Sequence, residues 1–260
     1  MVEAISMHRT GAPTVRQIGL DRPWAWLAEG WRDLAAYPVI SLSYGLVFAL
    51  CGLILLFLTS RLQLWYIALP LAAGFMLLGP VLAVGLYDIS RRRQNGEPVT
   101  FALTALAWRR NPTELGLMAL MLMLLFLVWI RLATLIFALF YGYQTPPLDS
   151  IVQEVFFSPN SLTFLIVGNL TGAILAALVF AISAVSIPML LDREVNAIAA
   201  VGTSLRAVQA NPGPMAAWAA LIVLFTAAGM VVFFAGLIVA LPLIGHATWH
   251  CYRDLVGTAD

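Results

Sequence analysis

The sequence predicts an all-α polytopic membrane protein: six transmembrane helices arranged as three repeats of an interfacial helix followed by a hairpin. Three observations carry that prediction. First, 62% of the 260 residues are hydrophobic and only 10% are charged, whereas an ordinary soluble domain is about a quarter charged and just under half apolar. Second, the apolar runs are long enough to cross about 30 Å of hydrocarbon, which takes roughly 20 helical residues. Third, an amphipathic stretch leads through an X-Pro step into an apolar run three times over. The composition excludes a soluble globular fold and a disordered chain. Two cysteines are too few for a disulfide scaffold. A net charge of +1 with no separate basic domain argues against nucleic-acid binding.

Residues 1–20 read as a polar N-terminal segment. They begin with basic character but lack the apolar core and small-residue cleavage site of a removable signal peptide. Residues 21–256 then form one six-span domain, with repeats at about 21–90, 97–192 and 196–256. The clear spans are Val39–Leu58, Trp65–Asp88, Thr113–Phe140 and Ser161–Leu191. A fifth segment, Pro214–Tyr252, has 39 residues and as one helix would reach about 58 Å, twice the hydrocarbon thickness. It must fold back near Gly229 to Gly236, which yields spans five and six. The connection Tyr141–Asn160 opens with a turn at Gln144-Thr145-Pro146-Pro147 and carries Asp149 and Glu154 without an arginine.

All fourteen basic residues are arginine. They sit at helix ends and not in a cleft, so the bias reads as GC-rich bacterial codon usage and not as selection for bidentate contacts. Twelve of them fall before span one, between spans two and three, between four and five, or after six; Arg61 and Arg131 are the exceptions. The positive-inside rule then places both termini in the cytoplasm, with the bacterial inner membrane as the location.

The X-Pro steps are Tyr37-Pro38, Asn111-Pro112 and Asn211-Pro212. Counting back 11, 7 and 4 residues from each proline gives Leu27, Trp31, Leu34; Phe101, Ala105, Trp108; and Val201, Leu205, Val208. That spacing lines one helical face with apolar groups. Proline suits the first turn of the next helix, and the residue before it is pushed out of the helical region, so the chain turns from surface to bilayer. Interfacial residues are Trp31, Arg32, Trp108, Arg109, Arg110 and Arg206, with Trp24 and Trp26 also suited to the headgroup layer. They form either a solvated anchoring collar or a platform for anionic lipid headgroups or a partner. Pro80, Pro188 and Pro242 fall late in spans two, four and six, which therefore line the centre.

His246, His250 and Asp254 follow at i+4 intervals and share a helical face. Two histidines and a carboxylate so spaced can hold a divalent metal such as zinc. The competing readings are histidines that bond backbone groups freed by Pro242 or pair with Asp88, Asp192 or Asp254, and a proton relay. Asp88 and Asp192 are placed to pair with Arg91 and Arg193. Arg131, embedded in span three, is expected to snorkel outward towards Asp149 or Glu154. Gly168-Asn169-Leu170-Thr171-Gly172 reads as a helix-packing step or, through Asn169 and Thr171, as the lining of a polar pathway. Glycine-rich phosphate loops, CxxC, HExxH and GxSxG motifs are absent, so the expectation is a non-enzyme without a cofactor.

The stretch GHATWHCYRDLV at Gly245–Val256, together with Trp31-Arg32-Asp33-Leu34 and the Arg91–Arg110 linker, resembles the DUF2189 family of bacterial integral membrane proteins over roughly residues 20–256. The resemblance implies a bacterial inner-membrane setting and no established activity. Some members are labelled after cytochrome oxidase subunit I, but this chain has three histidines, His8 being the third, and they do not support such a centre. The first functional expectation is an accessory, assembly or scaffold component of a membrane complex. The alternatives are a small-solute transporter or channel with a pathway between spans two, four and six, and a membrane metal-binding protein.

Overall fold

The computed structural model describes residues 14–142, 151–232 and 234–257. Expectations placed on His8, on the Gln144–Pro147 turn and on Asp149 lie outside these residues, as does the side chain of Glu154. Among the described residues thirteen α-helices run in order: α1 (Arg22–Ala36), α2 (Pro38–Arg61), α3 (Trp65–Leu77), α4 (Gly79–Leu82), α5 (Val84–Gln94), α6 (Phe101–Ala105), α7 (Pro112–Tyr141), α8 (Ile151–Phe157), α9 (Ser161–Ser183), α10 (Ser186–Asp192), α11 (Ala197–Ala210), α12 (Pro212–Val231) and α13 (Leu237–Leu255). A 3-10 turn, Ala107–Arg110, follows α6. Among the described residues the only β pairing is one antiparallel bridge, Val15 to Val256.

Each X-Pro step opens a long helix, with Pro38, Pro112 and Pro212 in its first turn. Tyr37, Asn111 and Asn211 share one backbone conformation, with φ of −130°, −148° and −133° and ψ of 57°, 69° and 54°. Among the described residues four helical stretches are long and apolar enough to cross a membrane: Pro38–Arg61, Pro112–Tyr141, Ser161–Asp192 and Pro212–Val231. The protein is thus an all-helical polytopic membrane protein. Span two departs from the expected single helix. It breaks at Leu78 and Ala83, where Pro80 has no N–H to donate and 3-10 bonds such as Val81 N to Leu78 O (3.1 Å) take over. The fold-back of the compound segment falls where expected, between Val231 and Leu237, and the two strokes touch through glycine: a Cβ on Gly236 would lie 2.7 Å from the Gly229 Cα. Because α13 begins only at Leu237, Pro242 lies early in it, not late, and α13 continues through it.

The helical segments that follow α2, α7 and α12 carry the core. Val84–Arg91, Ser183–Leu191 and Leu243–Trp249 are buried continuously. In the most apolar window of Ser161–Asp192, 67% of residues are buried, against 22–33% for α2, α7 and α12, which turn Leu46, Leu50, Leu120, Leu124 and Val223 outward. Hydroxyls repair the broken strokes. Ser204 of α11 inserts into the ladder of α9 and α10, donating to Ala181 O at 2.7 Å and accepting from Val185 N at 3.2 Å.

The face that packs inward on the interfacial helices is not the predicted one. Leu27 and Leu34 are buried, but Trp31, Phe101 and Ala105 are exposed. The buried positions common to all three lie 8 and 5 residues before the proline: Gly30 and Asp33, Thr104 and Ala107, Ser204 and Ala207. Small residues are selected there because the helices pack closely. A Cβ on Gly30 would stand 2.8 Å from Ala247 N and 2.9 Å from Leu243 O of α13. The second interfacial element is also shorter than expected, divided at Leu106 between α6 and the 3-10 turn.

Candidate functional site

The polar residues of the chain gather where α1, α5, α10 and α13 meet. Asp33 of α1 is the hub. Gly30 lets α1 lie against α13, and this places Asp33, 1% exposed, beside His250 and the end of α5. Its Oδ2 faces His250 Nε2 at 2.8 Å and its Oδ1 accepts from Arg93. Burial would raise its pKa, but the hydrogen bonds from His250, Ser90 and Arg93 outweigh that and hold it at about 2.

The donor roles around His250 follow from its neighbours. Trp249 Nε1, a donor only, takes Gln94 Oε1 at 2.9 Å. Gln94 Nε2 therefore donates to His250 Nδ1 at 3.3 Å, which leaves the His250 proton on Nε2, aimed at Asp33. The fully buried His246 sits between two hydroxyls, with Ser90 Oγ 2.8 Å from Nδ1 and Ser41 Oγ 2.9 Å from Nε2. The Trp249–Gln94–His250 chain and Arg93 converge on the Asp33 carboxylate.

Flanking ion pairs extend this layer. Asp88, fully buried, receives Arg91 at 2.9 Å and Arg92 at 2.6 Å, and Arg91 clamps Glu97 with both terminal nitrogens at 2.7 and 2.9 Å. The hydrogen bond from Arg91 holds Glu97 at about 2 as well. Asp254 accepts from Arg22 at 2.6 Å and from Trp26 Nε1 at 2.9 Å. Asp192 is bound by Arg253 at 3.1 Å and by the Tyr252 hydroxyl at 2.7 Å, while Arg193 stands 4.0 Å away and donates to Tyr252 Oη instead. A pocket of about 280 Å³ opens beside this layer, lined by Arg22, Trp26, Glu29, His250, Arg253 and Asp254.

Several expectations are met and others corrected. Arg91 pairs with Asp88 as expected, but Asp192 pairs mainly with Arg253. His246, His250 and Asp254 do share a face of α13, the one that packs on α1, but each has its own partner: Ser41 and Ser90, Asp33, and Arg22. Among the described residues no three His, Cys, Asp or Glu side chains come together as a metal site. Trp26 is not at the headgroup level; it is buried edge-on against Trp218 with ring centroids 5.7 Å apart. Asn169 lies on the outer surface of α9, bonded to its own helix at Leu165 O, and Thr171 bonds Val167 O. Neither lines an interior pathway. Gly172 packs under the Trp129 ring, while Gly168 faces open space. Arg131 is exposed on α7, and Cys51 and Cys251 are free thiols.

Sequence reasoning missed Asp33, Ser41, Ser90 and Gln94. It also missed the two prolyl-preceding asparagines as clamps. Asn111 Nδ2 holds Leu190 O of α10 and Val195 O just before α11, each at 3.3 Å; Asn211 holds Arg16 O and Ile18 N, each at 2.9 Å, just before α1. A polar residue at a fixed place in two repeats was the available signal.

No curated protein and no solved structure matches the chain. A family model does match, over residues 68–192. It spans the charged Arg91–Arg110 linker but neither Trp31–Leu34 nor the Gly245–Val256 stretch that carried much of the resemblance. The model that residues 68–192 match is that of DUF2189, predicted integral membrane protein.

Proposed function

We propose that the protein is a non-enzymatic, six-span component of the bacterial inner membrane, with both termini in the cytoplasm, that serves as an accessory, assembly or scaffold part of a membrane complex. One observation carries the reading: the centre of the bundle is filled and not hollow. Val84–Arg91, Ser183–Leu191 and Leu243–Trp249 pack side chain on side chain, and the polar groups beside them are spent on one another. Apart from Trp218 Nε1, which is buried without a partner, the interior satisfies its side-chain hydrogen bonds internally among the described residues, which rigidifies a fold and leaves recognition to the outside.

The threefold repeat is supported by the shared backbone at Tyr37, Asn111 and Asn211, and by the order of the clamps. Asn111 of the second repeat holds the segment entering the third, and Asn211 of the third holds the segment entering the first. The orientation is supported by the arginines, twelve of fourteen of which fall on the side of the interfacial helices. The partners are the lipid bilayer, with anionic headgroups at the cytoplasmic surface, and a second membrane protein complex. Affinity purification in mild detergent followed by mass spectrometry tests the role: stoichiometric co-purification with one complex is expected, and a clean solitary protein overturns it. Reporter fusions at Arg92 and Arg206 test the topology, with cytoplasmic signals expected at both.

A further inference from the structure

The three helices that precede the X-Pro steps are inside-out for a surface bathed in water. Their inward positions hold Gly30, Asp33, Thr104, Ala107, Ser204 and Ala207. Their outward positions hold Trp24 (64% exposed) and Trp31 (54%) on α1, Phe101 (50%) and Leu106 (47%) on α6 and the residue after it, and Ile198 (86%) on α11. Exposed apolar side chains this large and this regularly placed mark contact with an apolar phase.

Chain connectivity and charge identify that phase. One residue after each of these elements the chain enters α2, α7 or α12, the long apolar helices, so the elements lie at the boundary of the bilayer. Their arginines, Arg32, Arg109, Arg110 and Arg206, are exposed. α6, the 3-10 turn and α11 contain no acidic residue; on α1 Asp33 is buried against Arg93 and His250, and Glu29 pairs with Arg32, so Arg109, Arg110 and Arg206 carry the uncompensated charge. Arg206 and Arg110 are tied to Thr203 Oγ1 and Leu191 O, which fixes the guanidinium groups at the rim. Large apolar groups with arginines beside them are the composition of helices that lie in the interface of an anionic membrane.

We propose that α1, the α6 segment and α11 form a lipid-inserting collar that sinks into the acyl–headgroup boundary of a single leaflet and makes the protein a one-sided wedge, favouring anionic membrane that is convex on the collar side. Among the described residues the opposite end offers one short helix outside the long apolar ones, α8, with Phe156 and Phe157 exposed, so the insertion of such helices is unequal between leaflets. This deepens the reading above by naming the lipid surface, and it does not depend on the accessory role or on which side faces the cytoplasm. The C-terminus marks the collar side, because Asp254 is bonded to Arg22 of α1 and Val256 pairs with Val15.

The full chain with a C-terminal fluorescent tag, reconstituted in giant vesicles of phosphatidylcholine and phosphatidylglycerol, tests the proposal when thin tethers are pulled outward. Molecules with the tag outside should be enriched severalfold on the tether over the parent vesicle, and molecules with the tag inside should be depleted. Combined Phe101→Ser, Leu103→Ser and Leu106→Ser should bring both ratios towards one. If that variant does not fold, R109Q with R110Q serves in its place; it keeps the apolar insertion and should reduce the extra enrichment that phosphatidylglycerol gives over phosphatidylcholine alone. Equal density on tether and vesicle in both orientations, or enrichment of tag-inside molecules, overturns the collar. A solitary protein in the purification experiment would leave it standing.

Discussion

Replacing Asp33 with asparagine keeps the shape of the side chain and removes the charge on which Ser90, His250 and Arg93 converge. The magnitude comes from the carboxyl's own titration. Its pKa is held at about 2 against an ordinary 3.8, a difference worth about 2.5 kcal/mol of folded-state stability. Asp33 is 1% exposed, so solvent screening does not reduce that figure greatly, and Arg93, partly exposed at 37%, can turn to water and is not left as a stranded buried charge. A depressed carboxyl pKa contributes stability that is complete above about pH 4 and is lost as pH falls through about 2. The assay is thermal unfolding in mild detergent, followed by helical circular dichroism, of the parent chain and Asp33→Asn at pH 7 and in steps from pH 5 to pH 2. At pH 7 the variant should melt roughly 5–10 °C lower, and the two curves should converge as the pH approaches 2. Glu97, also held at about 2, titrates in both proteins, so the difference between them isolates Asp33. A variant as stable as the parent at pH 7, or a gap that stays constant down to pH 2, would refute the assignment of Asp33 as the hub.

Three further outcomes are expected. Gly30→Val drives a side chain into Ala247 N and Leu243 O, backbone atoms that cannot yield; a loss of about 3 kcal/mol and a change in the fluorescence of buried Trp26 should accompany displacement of α1 from α13. Ser204→Ala removes the hydroxyl that bridges Ala181 O and Val185 N and should cost about 1–3 kcal/mol, whereas Ser204→Thr, which keeps the hydroxyl, should cost less in the same unfolding assay. Asn211→Ala frees Arg16 O and Ile18 N; amide hydrogen exchange at residues 16–18 should accelerate by at least tenfold while exchange in α13 stays unchanged, and unaltered exchange at 16–18 would count against the clamp.

The architecture was legible in the sequence wherever lipid imposes a one-dimensional rule. Span length and the X-Pro steps act locally, and the helices expected from Val39, Thr113 and Pro214 begin one or two residues earlier, at Pro38, Pro112 and Pro212. The packed face did not, and the reason is physical. In water, an apolar stripe marks the core because the alternative is exposure to solvent. Here the alternative is lipid, which is as apolar as the core, so Trp31 and Phe101 lose little by facing out and the periodic apolar rows mark the lipid side. What the helices need inward is close approach, which Gly30, Ala107, Ser204 and Ala207 supply. Their signal is small size at fixed offsets from proline, a pattern that a search for hydrophobic periodicity passes over.

The same reasoning explains why ligand spacing on the histidine face does not make a metal site. His246, His250 and Asp254 on one helix carry ligand spacing, but spacing describes only one of the surfaces involved. The opposing surface, α1 and the end of α5, contributes Asp33, Arg22, Ser90 and Gln94, and with Ser41 of α2 these bond the three residues. The polar face of α13 is thus accounted for by the need to dock a charged amphipathic helix against the end of a membrane span without leaving unpaired groups. The docking joins the first helix to the last through Asp33–His250, Arg22–Asp254 and the pairing of Val15 with Val256. Closing the ring in this way holds all three interfacial elements at one level, and it is that common level that allows their outward apolar side chains to meet a single leaflet together.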